Sequence, residues 1–194
     1  MPLTDSAVLI PGTGHIYLAP VGTPAPTSPD TVPATPWVDV GHTSRDNGLT
    51  LSREGGDSNI KGSWQSPNLR DQREPTTWTV GFQMHQVDGD TLRIYFGGGV
   101  VTAGHYAAPA VPVPQDHALW VVMIDGTERV GLYWGRLSIL AADDITVDVE
   151  NLLTFPVKGT VLSRSGASPL DVYADSITAP PTPATVSAAS RTPA

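Results

Sequence analysis

The side chains able to do chemistry are few and scattered. Five histidines, His15, His42, His85, His105 and His117, are the first places to look for a metal or a general base. None pairs with another at the i, i+4 spacing that sets two imidazoles on one helix face, and each falls in or beside a loop or strand end, so no metal centre is expected. Asp143 and Asp144 with Asp148 and Glu150 make the one acidic cluster. Paired carboxylates can hold Ca²⁺ or share a proton, but the Asp-x-Asp-x-Asp-Gly spacing is missing, and alternating acids on a strand make a solvated face more often than a site. Gly12-Thr13-Gly14 lacks the Lys-Ser/Thr ending of a phosphate-binding loop and no helical pattern follows it, so it reads as a turn. Ser163-Arg164-Ser165-Gly166 does not match the Gly-x-Ser-x-Gly nucleophile elbow. Without cysteine there is no disulfide, thiolate ligand or thiol nucleophile, which fits a reducing compartment. An enzyme is not expected, and no cofactor is called for. Five tryptophans could form a sugar-binding platform, yet Trp78 and Trp120 sit in strand patterns where core packing explains them better.

The elements that would position any site are clearest from Thr76 to Gly99. Trp78, Val80, Phe82 and Met84 alternate with Thr77, Thr79, Gly81 and Gln83, the period of a strand with one buried and one wet face. After Asp88 the period changes: Leu92, Tyr95 and Phe96 fall at i, i+3 and i+4. Asp88 or Asp90 can cap the start, and Gly97-Gly98-Gly99 ends a short helix. Glycine and proline number 19 each in 194 residues, which suits short strands and turns; with 40% hydrophobic residues the chain can still bury a real core. The class is therefore mainly β. A net charge of −8 argues against a surface that grips phosphates. No apolar run approaches the roughly 20 residues of a membrane span, and no secretory signal opens the chain.

In order, an arm over residues 1–14 leads to a first strand, and five prolines between Pro24 and Pro36 make a surface loop. His42 to Pro75 is polar and glycine-rich, with Arg45, Arg53, Lys61, Arg70 and Arg73 balanced by Asp46, Glu54, Asp57, Asp71 and Glu74. Turn signals at Asn47-Gly48 and Glu54-Gly55-Gly56-Asp57 predict a long projecting hairpin or loop; an isolated ribbon of that kind is marginal in water, so composition leaves two readings, a segment that docks on something and a mobile, solvated loop. His105 to Gln115 reads as a second loop. Ala118–Ile124 and Arg129–Leu140 flank Asp125-Gly126-Thr127-Glu128 as a hairpin whose first arm, apolar on both faces, belongs mid-core. Ile145 to Glu150 alternates as a strand with one acidic face, and Leu153 to Ser163 gives a last strand, with Pro156 implying an edge or bulge. Residues 174–194, rich in Ala, Pro, Thr and Ser, read as a second arm, leaving 1–173 as one domain.

The order of features resembles the tail tube (major tail) proteins of long, non-contractile tailed bacteriophages. The carrying residues are AVLIPGTGHIYLAPVG, the hairpin entry VDVGHTSRDNGLTLSRE, the insertion GSWQSPNLRDQREPTTWTVGFQM, the helix DTLRIYFGGG and the strand pair ending LLTFPVKG, over about residues 7–165. The resemblance implies a two-sheet β-sandwich or small barrel with one flanking helix. It implies that six copies form a ring, that rings stack into a tube, and that one sheet per subunit joins a barrel around the lumen. It implies that the long loop touches the next ring and that the arms bridge subunits. The partners implied are further copies of the chain, a tape-measure protein in the lumen during assembly, tail terminator and distal tail proteins at the ends, and passing double-stranded DNA, in a virion assembled in the host cytoplasm. On this reading the 42–75 loop supplies the inter-ring contacts, through Arg45, Asp46, Arg53, Glu54, Asp57, Lys61, Trp64, Arg70, Asp71 and Arg73. The rest of the chain carries fourteen acids against six basic residues, which would let DNA slide without sticking. Thr77, Thr79 and Gln83, with Thr146, Asp148 and Glu150, are the candidates for the lumen wall. Many relatives carry an extra immunoglobulin-like domain, which is not expected here. The alternative from another class is a β-sandwich carbohydrate- or cell-surface-binding module using Trp64 or Trp134.

Overall fold

The computed structural model describes residues 8–147 and 149–177. Twelve strands and one helix follow in the order β1 (Thr13–Pro20), β2 (Val38–Asp39), β3 (Thr50–Gly55), β4 (Ser58–Lys61), β5 (Arg70–Arg73), β6 (Thr76–Met84), α1 (Gly89–Phe96), β7 (Val100–Thr102), β8 (His105–Ala107), β9 (Gln115–Asp125), β10 (Glu128–Ala141), β11 (Phe155–Val161) and β12 (Asp171–Ala174). Eight strands form one antiparallel sheet in the order β2-β1-β9-β10-β11-β6-β3, with β12 added to β10. The 14-residue β10 lets the sheet fork: its first half pairs with β12, its second half with β11. A register shift between Trp134 and Leu137 marks the fork, where an irregularity sharpens local twist.

The forked sheet folds over one main core. Leu18, Leu119, Leu137, Val157 and Phe82, one from each of five strands, pack together with Ile94 and Tyr95 of the helix. Burying side chains of this size contributes about 1.5–3 kcal/mol each. The helix forms as the sequence predicts: the Asp88 carboxylate accepts from Thr91 N at 2.8 Å, and Gly97 ends it in the left-handed conformation. On the outer face a second cluster, built on Trp120, Tyr17 and Tyr133, is covered by Trp37 and Ala25 of the proline-rich loop. The Tyr133 hydroxyl fastens that loop by donating to Thr23 O at 2.6 Å. The mainly β class expected from composition and pattern is thus present, and the folded sheet is consistent with the sandwich that the resemblance implies, with β9 apolar on both faces because each faces a core.

Residues 38–44 lace the two ends of the sheet. Val40 N donates to Ile16 O of β1, and after the bend at Gly41 the next residues pair with β6 through His85 N to His42 O and Ser44 N to Gln83 O. Gly41 has φ 80°, and a Cβ there would lie 1.4 Å from Gln86 Oε1, the oxygen that accepts from His42 N. The bend therefore needs glycine.

Three local expectations are corrected. The described residues of 145–150 form no strand. Alternation alone does not supply a neighbouring strand to pair with: both edges of β11 are taken by β10 and β6, and Val147 and Val149 stand exposed. Pro156 lies inside β11, which is central; its missing N–H faces the side where β10 has ended, and its carbonyl accepts from Ala142 N. Glu54-Gly55-Gly56-Asp57 is a kink between β3 and β4, and the chain reverses further out, at residues 62–69. The short strand expected over Trp37–Val40 is present as β2, whereas the pair β7–β8 and the strand β12 carry too little periodicity to be read from sequence.

Candidate functional site

Two surfaces remain once the cores are formed. The first is the bare part of the outer face. Residues directly opposite in antiparallel strands share a face, so the registers Ser52↔Thr79, Thr79↔Thr160, Thr160↔Ser138 and Ser138↔Asp116 lay short polar side chains in one row across β3, β6, β11, β10 and β9. Adjacent rows add Glu54 opposite Thr77, Thr50 and Lys158 flanking Gly81, and Pro156 opposite Gln83. Thr77 is exposed and Gln83 half-buried on this face, whereas Thr79, a short chain hemmed in by Ser52 and Thr160, is buried. The face is hydroxyl-rich rather than acidic: Glu54 is offset by Lys158, and Asp116 is held by Arg136 at 2.8 Å.

Thr146 and Glu150 lie on the 142–154 connection, where they line a polar cleft with Gln83 and Pro156 of the face just described and with His42, His85, Asp143 and Asp144. Asp148 lies outside the described residues. Two bonds tie the walls of that cleft into the fold. His85 Nδ1 is 2.9 Å from Leu153 O, and the Tyr95 hydroxyl donates to Asp143 O at 2.7 Å. Burial, then the Asp144 and Asp143 charges, push the Tyr95 hydroxyl above its ordinary range, so it stays a neutral donor. Among the described residues no group of three histidines or carboxylates is set to hold a metal ion.

The second surface is the ribbon. β4 and β5 pair with each other and with no other described strand, and every residue of both is exposed. Arg53 and Glu54 lie at its root in β3, with the Arg53 guanidinium 5.7 Å above the Trp78 ring. Asp57, Lys61, Arg70, Asp71 and Arg73 lie along it, while Arg45 and Asp46 are separate, between the lacing segment and β3. The Ser58 hydroxyl, then Arg73, hold the Asp71 carboxyl below its usual range. Trp64, at the tip, is fully exposed. Trp134, the other tryptophan considered for a sugar platform, is fully buried in the main core, which removes it. The missed features are the hydroxyl row, visible only when strand order is known, and the uneven charge of the ribbon, hidden by the neutral total of residues 42–75.

Comparison with known proteins places the chain in a family. A family model described as phage tail tube protein matches residues 1–188. The major tail protein Gp23 of Mycobacterium phage D29 is 33% identical over 182 residues, 87% of this chain and 91% of that one. The corresponding Gp23 of Mycobacterium phage L5 is 31% identical over the same shares. With its mainly β fold, its uncommitted sheet face and its projecting ribbon, the chain belongs to the phage tail tube protein family, as a structural component of the tail and not an enzyme.

Proposed function

We propose that this chain polymerises with itself as stacked rings, six copies to a ring, into the tube of a phage tail through which the genome passes into the host. The observation that carries this reading is the pairing of a free edge with a bare face. β3 ends the sheet order, so one side of Thr50–Gly55 has no strand partner among the described residues, and the hydroxyl-rich face begins at that same strand. An uncovered edge is a template for another chain. If neighbouring copies add to it, their polar faces join around a common axis, and that wall holds Thr77, Gln83 and the hydroxyl row. Hydroxyls and balanced charges give phosphates little to hold, so duplex DNA would slide. Thr79 would contribute as a buried spacer, and Thr146 and Glu150 would lie at the rim. The ribbon and the terminal arms, residues 1–14 and 174–194, would join rings; most of the arms lie outside the described residues. A tape-measure protein would occupy the lumen during assembly in the host cytoplasm, with terminator and distal tail proteins at the ends.

Electron microscopy of the purified chain tests this. Rings and long tubes with a central channel are expected; a protein that stays monomeric at high concentration overturns it. The carbohydrate-binding alternative loses its second tryptophan and gains no observation in its favour.

A further inference from the structure

We infer that the tip of the β4–β5 ribbon docks, through Trp64, in an acidic-rimmed groove between α1 and β1 of a second copy in the next ring. The inference rests on the stacking proposed above and names the surface that receives the ribbon. Between the end of β1 and the start of α1 runs a groove of about 550 Å³ whose apolar wall includes Ala19, Val38, Val40 and Ile94. Its rim carries four carboxylates, Asp39, Asp88, Asp90 and Asp116, against the one guanidinium of Arg93. Asp116 is already paired with Arg136, Asp90 lies 3.8 Å from Arg93, Asp88 caps the helix and His15 approaches Asp39, but four carboxylates against two guanidinium groups leave the excess negative. The outer part of the ribbon has the opposite character: Ser58–Arg73 holds Lys61, Arg70 and Arg73 against Asp71, which pairs with Arg73, while Asp57 and Glu74 stand together at the base. It also presents Ile60, Trp64 and Leu69 to solvent, at 56%, 102% and 68% exposure. A bare indole flanked by aliphatics and cations matches a concave apolar site with an anionic rim, since buried tryptophans anchor interfaces and rim charges steer them.

Topology decides which copy supplies the occupant. Successive strands from β1 through β9, β10 and β11 to β6 are antiparallel, so β1 and β6 run in the same direction. The ribbon leaves from the N-terminal end of β6. The groove lies at the C-terminal end of β1, beside the helix that follows the C-terminal end of β6. Ribbon and groove thus occupy opposite ends of the strands, and joining them between copies gives a head-to-tail contact that propagates.

The absence of cysteine makes the test clean. Gln65→Cys in the ribbon tip is combined with Val38→Cys on the groove, assembled, and treated with a short bismaleimide. Tubes of this variant should give a ladder of covalent multimers on a denaturing gel, and tubes of a control pair, Gln65→Cys with Thr127→Cys at the β9–β10 turn, should not. Tubes without a ladder from the Val38 pair, or a ladder from the Thr127 pair in its place, overturn the groove assignment while leaving the stacking intact. Wild-type protein that forms no tubes overturns both. Should the double-cysteine chain fail to assemble, a charge exchange decides. Arg70→Glu and Asp90→Lys should each cut tube yield several-fold at low salt, and both in one chain should restore it; no recovery from the combination, with each variant melting like the parent monomer, overturns the assignment.

Discussion

Trp120 shows how one residue can fix the division of labour between the two faces of the sheet. Its indole lies across Gly131, where a Cβ would come within 2.2 Å of the ring, and makes an edge contact with Tyr173 of β12. Gly131→Ala is therefore an overpacking change, expected to cost about 1–3 kcal/mol, and Trp120→Ala should cost about 3–5 kcal/mol; denaturant midpoints of the monomer check both. His117, at the start of β9, is a second informative residue. Burial lowers its pKa from the ordinary 6.5, against smaller raising effects of Ala19 and Asp116. Because the unfolded chain binds that proton more readily, this contribution to stability is complete above about 6.5 and is lost as pH falls through the lower folded value. His117→Gln should flatten that part of the stability-versus-pH curve, read from melts between pH 5 and 8. Neither role is visible in the sequence, since Trp120 and His117 get their surroundings from residues far along the chain.

At the scale of the element, the helix and the ribbon make separable predictions. Asp88→Ala removes the cap and should lower stability by about 1 kcal/mol, measurable as a shift in thermal midpoint. The ribbon carries almost none of the fold, so replacing 58–73 by a short turn should leave a folded monomer with its near-ultraviolet signal intact and abolish tubes in the electron microscope. A deletion spanning Asp46–Asn68, the natural choice from sequence, also removes β3 and so damages the main sheet. What was legible here was local. The β6 alternation and the capped helix satisfy their own pattern and hydrogen bonds within a few residues. The 145–150 stretch has an equally clean alternation, yet its described residues form no strand, because alternation alone does not supply a neighbouring strand to pair with.

For the whole molecule, the polar face makes a claim about transport. Arginine at Thr77 and Gln83 would place cations on the proposed wall without touching either core. Tubes of that double variant should retain duplex DNA in sedimentation at low salt and release it as salt rises, whereas parent tubes should not retain it; retention is the behaviour expected when phosphates find fixed cations. A net charge of −8 already disfavours DNA binding, but it does not say where the charges lie. The strand order gives the face proposed as the wall a row of hydroxyls where acids were expected.

The sequence by itself determined the mainly β class, the strand-to-helix switch between Thr76 and Gly99, the mid-core hairpin on either side of Asp125 and the existence of a polar projecting segment, because periodicity, capping and turn residues act over short distances. Only the tertiary structure decided that β10 forks the sheet, that residues 38–44 lace its ends, that Ser52, Thr79, Thr160 and Ser138 stand in one row, and that ribbon and groove lie at opposite ends of the strands. These depend on which strands become neighbours. That choice is made by the simultaneous burial of side chains far apart in the chain, and no local pattern records it.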